Sequence, residues 1–242
     1  FIQIGVAEQL LATVASGIAN YGKIPFIASY AAFSPGRNWE QIRTTIALNN
    51  VPVKIGGMHA GISVGPDGAT HQALEDIAIM RTIPNMTVIA PCDAVEAKKA
   101  TIAAAKLPGP VYMRFGREKV PVITTEKTPF NVGKAGVFRE GKDVAVIACG
   151  PLVYEALIAA ENLKIKGEAD VMVIDNHTIK PIDVKTIIAA AKKTGAVVTA
   201  EEAQVTGSLG GAVMEVLGEN AAVPVERVGV RDRFGQSGAP DE

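Results

Sequence analysis

Two of the chain's three histidines flank a glycine-rich stretch, GGMHAGISVGPDGATHQ, at residues 56–72. His59 and His71 lie near its two ends, and Asp67 lies between them. Imidazoles and a carboxylate on such a loop suit acid–base or hydrogen-bonding work on a polyhydroxy substrate. They are also possible metal ligands, but the 12-residue separation of the two histidines matches no familiar ligand spacing. We therefore favour the acid–base interpretation and predict no metal ligand.

The glycines of this stretch fit neither common nucleotide-binding pattern. Their spacing is too irregular for GxGxxG, and no lysine completes a GxxxxGK[S/T] loop. We expect them instead to let the backbone turn tightly next to a ligand.

Glu8 begins a helical pattern directly after a β-type run, in the sequence IGVAEQLL. A carboxylate in the first turn complements the helix dipole, which is one interpretation. The other is functional: burial at a strand-to-helix junction keeps a carboxyl group protonated as a hydrogen-bond donor. The residues alone leave both interpretations open.

Three of the chain's 12 aromatic residues cluster in one loop, ASYAAFSPGRNWEQ. Tyr30, Phe33 and Trp39 follow a predicted strand and surround Pro35 and Gly36. Each one alone is most simply a core or rim aromatic. Together they suggest a wall for a flat ring, because aromatic faces stack on heterocycles.

Arg114 and Arg117 end the last strand predicted for the first half, in YMRFGRE. A surface arginine here is most simply solvated or paired with Glu118. At the carboxyl end of a strand, an arginine is equally suited to hold a phosphate in its planar fork.

Short β-branched runs alternate with helical patterns in the first half, which favours βαβ units and a parallel sheet. The predicted strands are 1–6, 24–29, 51–57, 86–91 and 109–115, and the predicted helices are 8–20, 39–50, 71–83 and 94–106. Ligands bind beyond the carboxyl ends of such strands. We therefore expect the chemistry in the loops 30–38, 57–71 and 90–94.

A second, smaller α/β domain is predicted after a change of composition. Residues 120–141 mix Pro, Thr, Gly and charged residues without helical periodicity, and are predicted to be a linker with one short hairpin. The alternation then restarts, with strands at 143–150, 170–175, 196–202 and 225–230 and helices at 151–167, 182–195 and 208–220. His177 follows one of these strands, and a capped loop or an interdomain contact is its plainest interpretation.

The composition is that of a globular protein, with 48% apolar residues, 20% charged residues and a net charge of −1. This charge gives no reason to expect nucleic acid or a membrane surface as a partner. Two cysteines without CxxC spacing favour a reducing compartment, and we expect a cytoplasmic protein. The chain begins at Phe1 without a signal-peptide pattern, so we expect its natural start to lie upstream.

Taken in order along the chain, its motifs resemble the C-terminal half of transketolase. They are GVAEQ (5–9), the Tyr-x-x-Phe loop (30–33), MHAGISVGPDGATHQ (58–72), RTIPNMTVIAPCD (81–93), the arginine-bearing strand and RFGQSG (233–238). DGATHQ and RTIPNMTV, at their distance from GVAEQ, are the most specific. The resemblance implies a pyrimidine-binding α/β/α domain with a parallel sheet at 1–123. A smaller α/β/α C-terminal domain with a mostly parallel sheet is implied at 124–242.

The resemblance also implies a cofactor, thiamine diphosphate. Glu8 matches the family's glutamate that hydrogen-bonds the aminopyrimidine ring and activates the cofactor, so it is implied to be both catalytic and cofactor-binding. Tyr30 and Phe33 match the aromatic wall of the pyrimidine pocket.

Four residues are implied to contact sugar phosphate substrates. Asp67 falls where the family recognises a substrate hydroxyl. His71 falls where a histidine contacts the reacting sugar oxygen, and is implied to be catalytic. His59 and Arg117 fall where a substrate phosphate is bound. Arg114 has no counterpart, so no role is carried over to it.

Two departures from the family pattern stand out. A third aromatic of the pyrimidine pocket is replaced near Pro35 or Gly36, and Arg37 or Trp39 is the candidate to compensate. The GDG…N motif by which such enzymes hold Mg²⁺ and the diphosphate is also missing. The chain therefore looks like one subunit of a split enzyme. An N-terminal transketolase subunit is implied to hold Mg²⁺ and the diphosphate, in a heterotetramer with two copies of each chain.

The implied reaction transfers a two-carbon ketol unit from a ketose phosphate to an aldose phosphate. One alternative is a 1-deoxyxylulose-5-phosphate synthase-like enzyme, in which an arginine is expected at His59. A second is the β-type E1 subunit of a 2-oxo acid dehydrogenase, which lacks the DGATHQ pattern. A third, outside the enzymes, is an inactive binding module with this fold. Retention of the whole set of site residues speaks against that module.

Overall fold

The computed structural model describes residues 1–240, and the first half of the chain is built on a parallel sheet. Its strands are β1 (Phe26–Tyr30), β2 (Lys54–Met58), β3 (Thr87–Ile89) and β4 (Val111–Arg114), in the order β1-β2-β4-β3. The helices are α1 (Glu8–Asn20), α2 (Trp39–Gln41, continued by a π-helical segment, Ile42–Ala47), α3 (Asp76–Arg81) and α4 (Ala94–Lys106). The parallel α/β architecture is confirmed.

The strand register brings the predicted loops to one edge of this sheet. Tyr30 pairs with Met58, and Gly57 pairs with Arg114, so these three strands end at the same level. The loops that follow them carry the aromatic cluster, the glycine-rich stretch and Arg117. This is the edge at which open parallel sheets bind ligands.

The second domain contains a sheet of its own. Its strands are β5 (Gly136–Arg139), β6 (Val144–Ala148), β7 (Val171–Asp175), β9 (Val197–Gln204) and β10 (Val225–Val230), in the order β10-β9-β6-β7-β5. Its helices are α5 (Leu152–Lys166), α6 (Val184–Thr194) and α7 (Leu209–Asn220). Only β5 runs antiparallel to its neighbour among the described strands of this sheet, which is therefore mostly parallel, as predicted.

One strand crosses from the second domain to the sheet of the first. Strand β8 (Thr178–Lys180) pairs antiparallel with β3, through Val88 and Lys180. Next to it, His177 accepts a hydrogen bond on its carbonyl from the Ala90 N–H over 2.8 Å, and its ring stacks on Phe130 at 4.2 Å. The interpretation of His177 as an interdomain contact is confirmed.

A continuous hydrophobic core accompanies this strand exchange. One cluster of buried side chains includes Ile55 and Val88 of the first sheet as well as Ile147 and Ile174 of the second. Burying a side chain of this size contributes about 1.5–3 kcal/mol. The two domains are thus joined by apolar packing as well as by backbone hydrogen bonds.

Residues 1–6 do not form the predicted strand. They have no regular secondary structure, and Phe1 and Val6 are exposed. A strand needs a partner for its backbone groups, and β1 pairs only with β2 within residues 1–240. The β-branched composition of this segment was therefore misleading.

One helix boundary and one predicted hairpin also differ from the structure. The helix expected at 71–83 begins only at Asp76, because the preceding residues close a loop through a β-bridge between Ala60 and Ala73. The prediction of a hairpin within 120–141 is wrong. That segment supplies one strand, β5, which pairs with β7.

Across the described part of the chain, residues 1–240, no helix combines the length and apolar character needed to span a bilayer. The last two residues of the predicted C-terminal domain, 241 and 242, lie outside the described residues.

Candidate functional site

Glu8 is the first residue of α1, as predicted, and the loop after β1 fixes its backbone. The side-chain amide of Asn38 donates a hydrogen bond to the Glu8 carbonyl over 2.9 Å and a second one to Ser34 Oγ over 3.2 Å. Asn38 and Ser34 are both completely buried. The start of the helix is therefore held rigidly against the aromatic loop.

Each oxygen of the Glu8 carboxylate accepts a hydrogen bond. Arg37 donates from Nη1 to Oε2 over 2.8 Å, and Ser29 donates from Oγ to Oε1 over 3.4 Å. The Glu8 side chain is 7% exposed, whereas that of Arg37 is 46% exposed. A buried acceptor thus faces a flat, nitrogen-bearing donor at the edge of the site.

Four rings form a cluster that Arg37 connects to this carboxylate, because its guanidinium lies over Phe33 at 4.9 Å. Tyr30 stacks on His59 with centroids 4.2 Å apart and meets the edge of His71 at 5.6 Å. Phe33 meets His71 at 5.4 Å and Tyr30 at 6.1 Å. The structure therefore brings both predicted aromatics and both predicted histidines into one cluster.

The two histidines of the cluster have different hydrogen-bonding states. His71 Nδ1 lies 2.8 Å from Thr70 Oγ1, whereas His59 Nδ1 is buried and has no hydrogen-bond partner within residues 1–240. His59 also adopts a φ of 52°, a left-handed conformation that is uncommon outside glycine. A strained residue with an unsatisfied ring nitrogen is a typical feature of a binding site.

Asp67 and Arg117 form a second part of the site. Arg117 Nη1 lies 3.4 Å from Asp67 Oδ1 and also donates to the Val64 carbonyl over 3.0 Å. The loop that carries Asp67 consists of 3-10 turns, Ile62–Thr70, broken where Gly65 and Gly68 take φ values of 70° and 69°. The half-exposed guanidinium of Arg117 can meet an anion from solvent.

Trp39 does not belong to the aromatic wall. Its indole N–H donates to the Ile79 carbonyl over 3.0 Å, and its ring packs against the hydrophobic core. Gly36 lies so close to the Ala32 carbonyl that a Cβ at this position would be 2.0 Å from the oxygen. This approach excludes a third aromatic side chain at Gly36.

Arg114 is buried, and two carboxylates of the chain, Asp76 and Glu202, balance its positive charge. Its Nε lies 3.0 Å from Asp76 Oδ2, and its Nη1 lies 3.6 Å from Glu202 Oε1. Burial opposes the charge of the guanidinium, but these two carboxylates raise the pKa of Arg114 above its ordinary value. Arg114 is therefore neither solvated, nor paired with Glu118, nor placed to bind a phosphate.

Sequence reasoning missed several residues that position the site. Asn38 and Ser29 contact Glu8, and Glu202 contacts the glycine-rich stretch through the Ser63 N–H. Asn38 follows Arg37 directly, so its nearness to the aromatic loop was the only available signal. Glu202 is 139 residues from Ser63, and no local pattern connects them.

A cavity of about 500 Å³ borders the other side of Glu8. Its walls are Phe1–Gly5, one face of α1, and the Pro25–Ser29 segment that includes most of β1. Glu8 and Ser29 thus both line this cavity.

Known protein families match both halves of the chain. The family model described as "Transketolase, pyrimidine binding domain" matches residues 1–122, and "Transketolase, C-terminal domain" matches residues 133–242. Together they account for nearly the whole chain. The resemblance to transketolase is confirmed.

Two curated relatives and one solved structure are similar over nearly the whole chain. The 6-deoxy-6-sulfo-D-fructose transketolase subunit SqwH of Clostridium sp. (strain MSTE9) is 45% identical, over 99% of this chain and 74% of that protein. An apulose-4-phosphate transketolase subunit of Phocaeicola vulgatus (strain ATCC 8482) is 40% identical, over 96% of this chain and 74% of that protein.

The solved structure, a split gene transketolase described as an inactive beta4 tetramer, has a TM-score of 0.93 and 45% identity. The match covers 100% of this chain and 77% of that one. With both family domains present in this order, the chain belongs to the transketolase family, as a C-terminal (beta) subunit of the split-gene type.

Proposed function

We propose that this subunit acts in ketol transfer, the movement of a two-carbon unit from a ketose phosphate to an aldose phosphate. The observation that carries the proposal is the buried Glu8 carboxylate, which Arg37 connects to Phe33 of the ring cluster. A carboxylate and a ring wall side by side are suited to hold a flat nitrogen heterocycle at its edge and its face.

The residues of the site fit the aminopyrimidine ring of thiamine diphosphate. In this structure a planar group with N–H donors, the Arg37 guanidinium, already bonds to Glu8 and lies over Phe33. An aminopyrimidine offers a similar flat face to Phe33 while Tyr30 continues the wall, and one of its ring nitrogens faces Glu8 in place of the guanidinium. When bound, thiamine diphosphate supplies the carbon nucleophile needed to cleave the bond next to a ketose carbonyl.

The chain's own residues bind and orient the reactants. Glu8 holds a proton at the edge of the ring, and His71, kept in place by Thr70, contacts the reacting sugar oxygen. Asp67 accepts a hydrogen bond from a substrate hydroxyl. His59 and Arg117 bind the substrate phosphate, for which Arg117 supplies a fork of donors.

A second polypeptide completes the site in this proposal. The sequence lacks the GDG…N motif, so an N-terminal subunit holds Mg²⁺ and the diphosphate, in a heterotetramer with two copies of each chain. The description of the related structure as an inactive beta4 tetramer supports inactivity of this chain alone. We place the boundary between the two domains at 123/124, next to the end of the first family match at 122.

We also propose a cytoplasmic location. Both cysteines, Cys92 and Cys149, are free and buried, as expected for a protein of a reducing compartment.

The test combines this chain with a candidate partner that carries GDG…N, together with thiamine diphosphate and Mg²⁺. Ketol transfer from xylulose 5-phosphate to ribose 5-phosphate is then followed. We expect turnover only when both chains are present. Glu8→Ala is expected to lower turnover by about 10²–10⁴-fold, the range for loss of a proton-transfer group. Glu40→Ala, at an exposed glutamate in the same half of the chain, is the matched control.

Three results would contradict parts of this proposal. Activity from this chain alone would exclude the need for a partner. Consumption of pyruvate with glyceraldehyde 3-phosphate would move the reaction to that of a 1-deoxyxylulose-5-phosphate synthase. Undiminished turnover by Glu8→Ala in the active complex would remove Glu8 from the chemistry.

A further inference from the structure

The glycine-rich loop at residues 61–72 is contacted near its start by a carboxylate of the C-terminal domain. Glu202, in β9, accepts the Ser63 N–H on Oε2 over 3.2 Å. Its carboxyl group also packs against Gly61, where a Cβ would lie 2.3 Å from Glu202 Cδ. Gly61 has a φ of 94°. The backbone there is shaped to receive this carboxylate.

Buried opposite charges hold the Glu202 carboxylate in place. Arg114 Nη1 lies 3.6 Å from Glu202 Oε1, and Arg114 Nη2 donates to the Glu202 carbonyl over 3.0 Å. The side chains of Arg114 and Glu202 are each 4% exposed. Asp76 bonds to the other side of the guanidinium. This network orients Glu202 toward the loop and links β4 to β9.

The other end of the loop is fastened by Gln72. The two hydrogens of its Nε2 are shared among the carbonyls of Ile62 at 3.1 Å, Gly65 at 3.4 Å and Gln236 at 3.1 Å. The first two bonds close the loop on itself, and the third ties it to the C-terminal segment. Gln72 is 5% exposed, so its side chain is largely shielded from water.

The same C-terminal segment covers the middle of the loop. A Cβ on Gly68 would lie 2.3 Å from Ser237 Oγ, and one on Gly65 would lie 3.0 Å from Pro240 Cγ. Both glycines have positive φ. Glycine-rich backbone is entropically expensive to order, and these contacts supply the needed restraint.

We propose that Glu202 and Gln72 are positioning residues for catalysis. Through them, the C-terminal domain holds the loop in the conformation that presents Asp67 and His71 to substrate. Neither residue touches the reactants; each acts through the loop. The inference rests on the proposed function for the identity of the substrate, whereas the restraint of the loop is a property of this chain alone.

The test compares Gln72→Ala with the unmodified chain, each assembled with the diphosphate-binding subunit. We expect amide hydrogen exchange of residues 61–72 to rise by roughly tenfold, as for the loss of one or two net hydrogen bonds. Exchange in β6 and β7 is expected to stay the same. The KM for ribose 5-phosphate is expected to rise by a similar factor, with kcat changed less.

Gln236→Ala is the matched control, because Gln236 contacts Gln72 only through its backbone carbonyl. We expect it to leave both loop exchange and KM unchanged. Glu202→Gln is a second variant, which keeps an oxygen for the Ser63 N–H but removes the charge opposite Arg114. We expect it to raise exchange at residues 61–63.

Two outcomes would overturn the inference. One is an amide hydrogen exchange rate of residues 61–72 in Gln72→Ala that equals the rate in the unmodified complex, whichever reaction the complex catalyses. The other is faster loop exchange with an unchanged KM, since a loop that loosens without effect does not position substrate. A loosened loop in a complex that carries out a different reaction would refute the proposed function and support the restraint.

Discussion

Arg37 and Glu8 form an ion pair over 2.8 Å, and the same guanidinium lies 4.9 Å from the centroid of the Phe33 ring. Arg37 therefore makes the two contacts that we propose for the aminopyrimidine: the carboxylate edge and the aromatic face. A ring that binds to Glu8 and Phe33 must displace this guanidinium. Arg37 is thus a competitor inside the site.

Replacing Arg37 by alanine is expected to tighten the binding of thiamine diphosphate by the assembled complex. Half-exposed ion pairs contribute about 0.2–1 kcal/mol, so we expect a gain of roughly twofold to fivefold, measured by calorimetric titration. Arg43→Ala, at an exposed arginine of the following helical segment, should leave the affinity unchanged. Weaker binding by Arg37→Ala would instead mean that Arg37 contacts the cofactor.

Loss of Arg117 is expected to weaken substrate binding rather than chemistry. Its half-exposed guanidinium pairs with Asp67, and a charge-assisted hydrogen bond contributes about 1.5–3 kcal/mol. Arg117→Ala should therefore raise the KM for a sugar phosphate by roughly tenfold to a hundredfold, with kcat nearly constant. Steady-state kinetics at several ribose 5-phosphate concentrations would measure this change.

Arg117→Lys separates charge from geometry. Lysine keeps the positive charge but lacks the planar fork that binds phosphate through two hydrogen bonds. We expect the KM of Arg117→Lys to lie between that of the native chain and that of Arg117→Ala. If Arg117→Ala lowered kcat and left KM unchanged, Arg117 would act in the transition state instead of binding the phosphate.

The sequence predicted which loops lie together better than it predicted the bounds of the elements around them. His59, His71, Tyr30 and Phe33 share a cluster, and the alternation of patterns was sufficient to place their loops at one sheet edge. The helix expected at 71–83 begins only at Asp76, because Ala73 forms a β-bridge with Ala60 and the Gln72 side chain is tied to the distant Gln236 carbonyl. Local helical periodicity carries no information about such a tertiary contact.

Strand β8 shows a second reason for the limits of sequence reasoning. Thr178–Lys180 is only three residues long, and nothing in those residues states which sheet they join. Residues 1–6 show the converse: a β-branched run without a neighbouring strand has no regular secondary structure and is mostly exposed. Strand formation depends on pairing and burial, which local composition does not specify.

Adding one methyl group at Gly36 is expected to destabilise the aromatic loop. A Cβ there would lie 2.0 Å from the Ala32 carbonyl oxygen, so the backbone must shift. Overpacking of this kind costs about 1–3 kcal/mol. Urea unfolding of Gly36→Ala should show a lower midpoint.

Gly17→Ala is the matched control for Gly36→Ala. Gly17 lies inside α1, and a Cβ there would have no neighbour within 4 Å in the described part of the chain. The substitution should raise the free energy of unfolding by about 0.5–1 kcal/mol, since glycine disfavours helix. An unchanged midpoint for Gly36→Ala would contradict the close approach to Ala32.

Asp175 is expected to make stability fall as the pH rises. It is completely buried at the end of β7, and one atom each of Cys92, Glu96 and Asp175 lie within 4.8 Å of one another. Burial, and then the charge of Glu96, raise the pKa of Asp175 well above its ordinary value. The folded chain therefore binds a proton that the unfolded chain releases. The stability that Asp175 contributes is fully present below its ordinary pKa. It is lost as the pH rises through the raised pKa of the folded chain.

Asp175→Asn should remove this dependence, because an amide of nearly the same shape does not ionise. We expect thermal unfolding of the variant and the native chain to be similar near pH 5, with the variant gaining relative stability toward pH 8. Asp170→Asn is the control: a hydrogen bond from Lys164 lowers the pKa of Asp170, so this group stays ionised throughout that range. A native chain that gained stability relative to Asp175→Asn between pH 5 and 8 would show that Asp175 is ionised in the folded state.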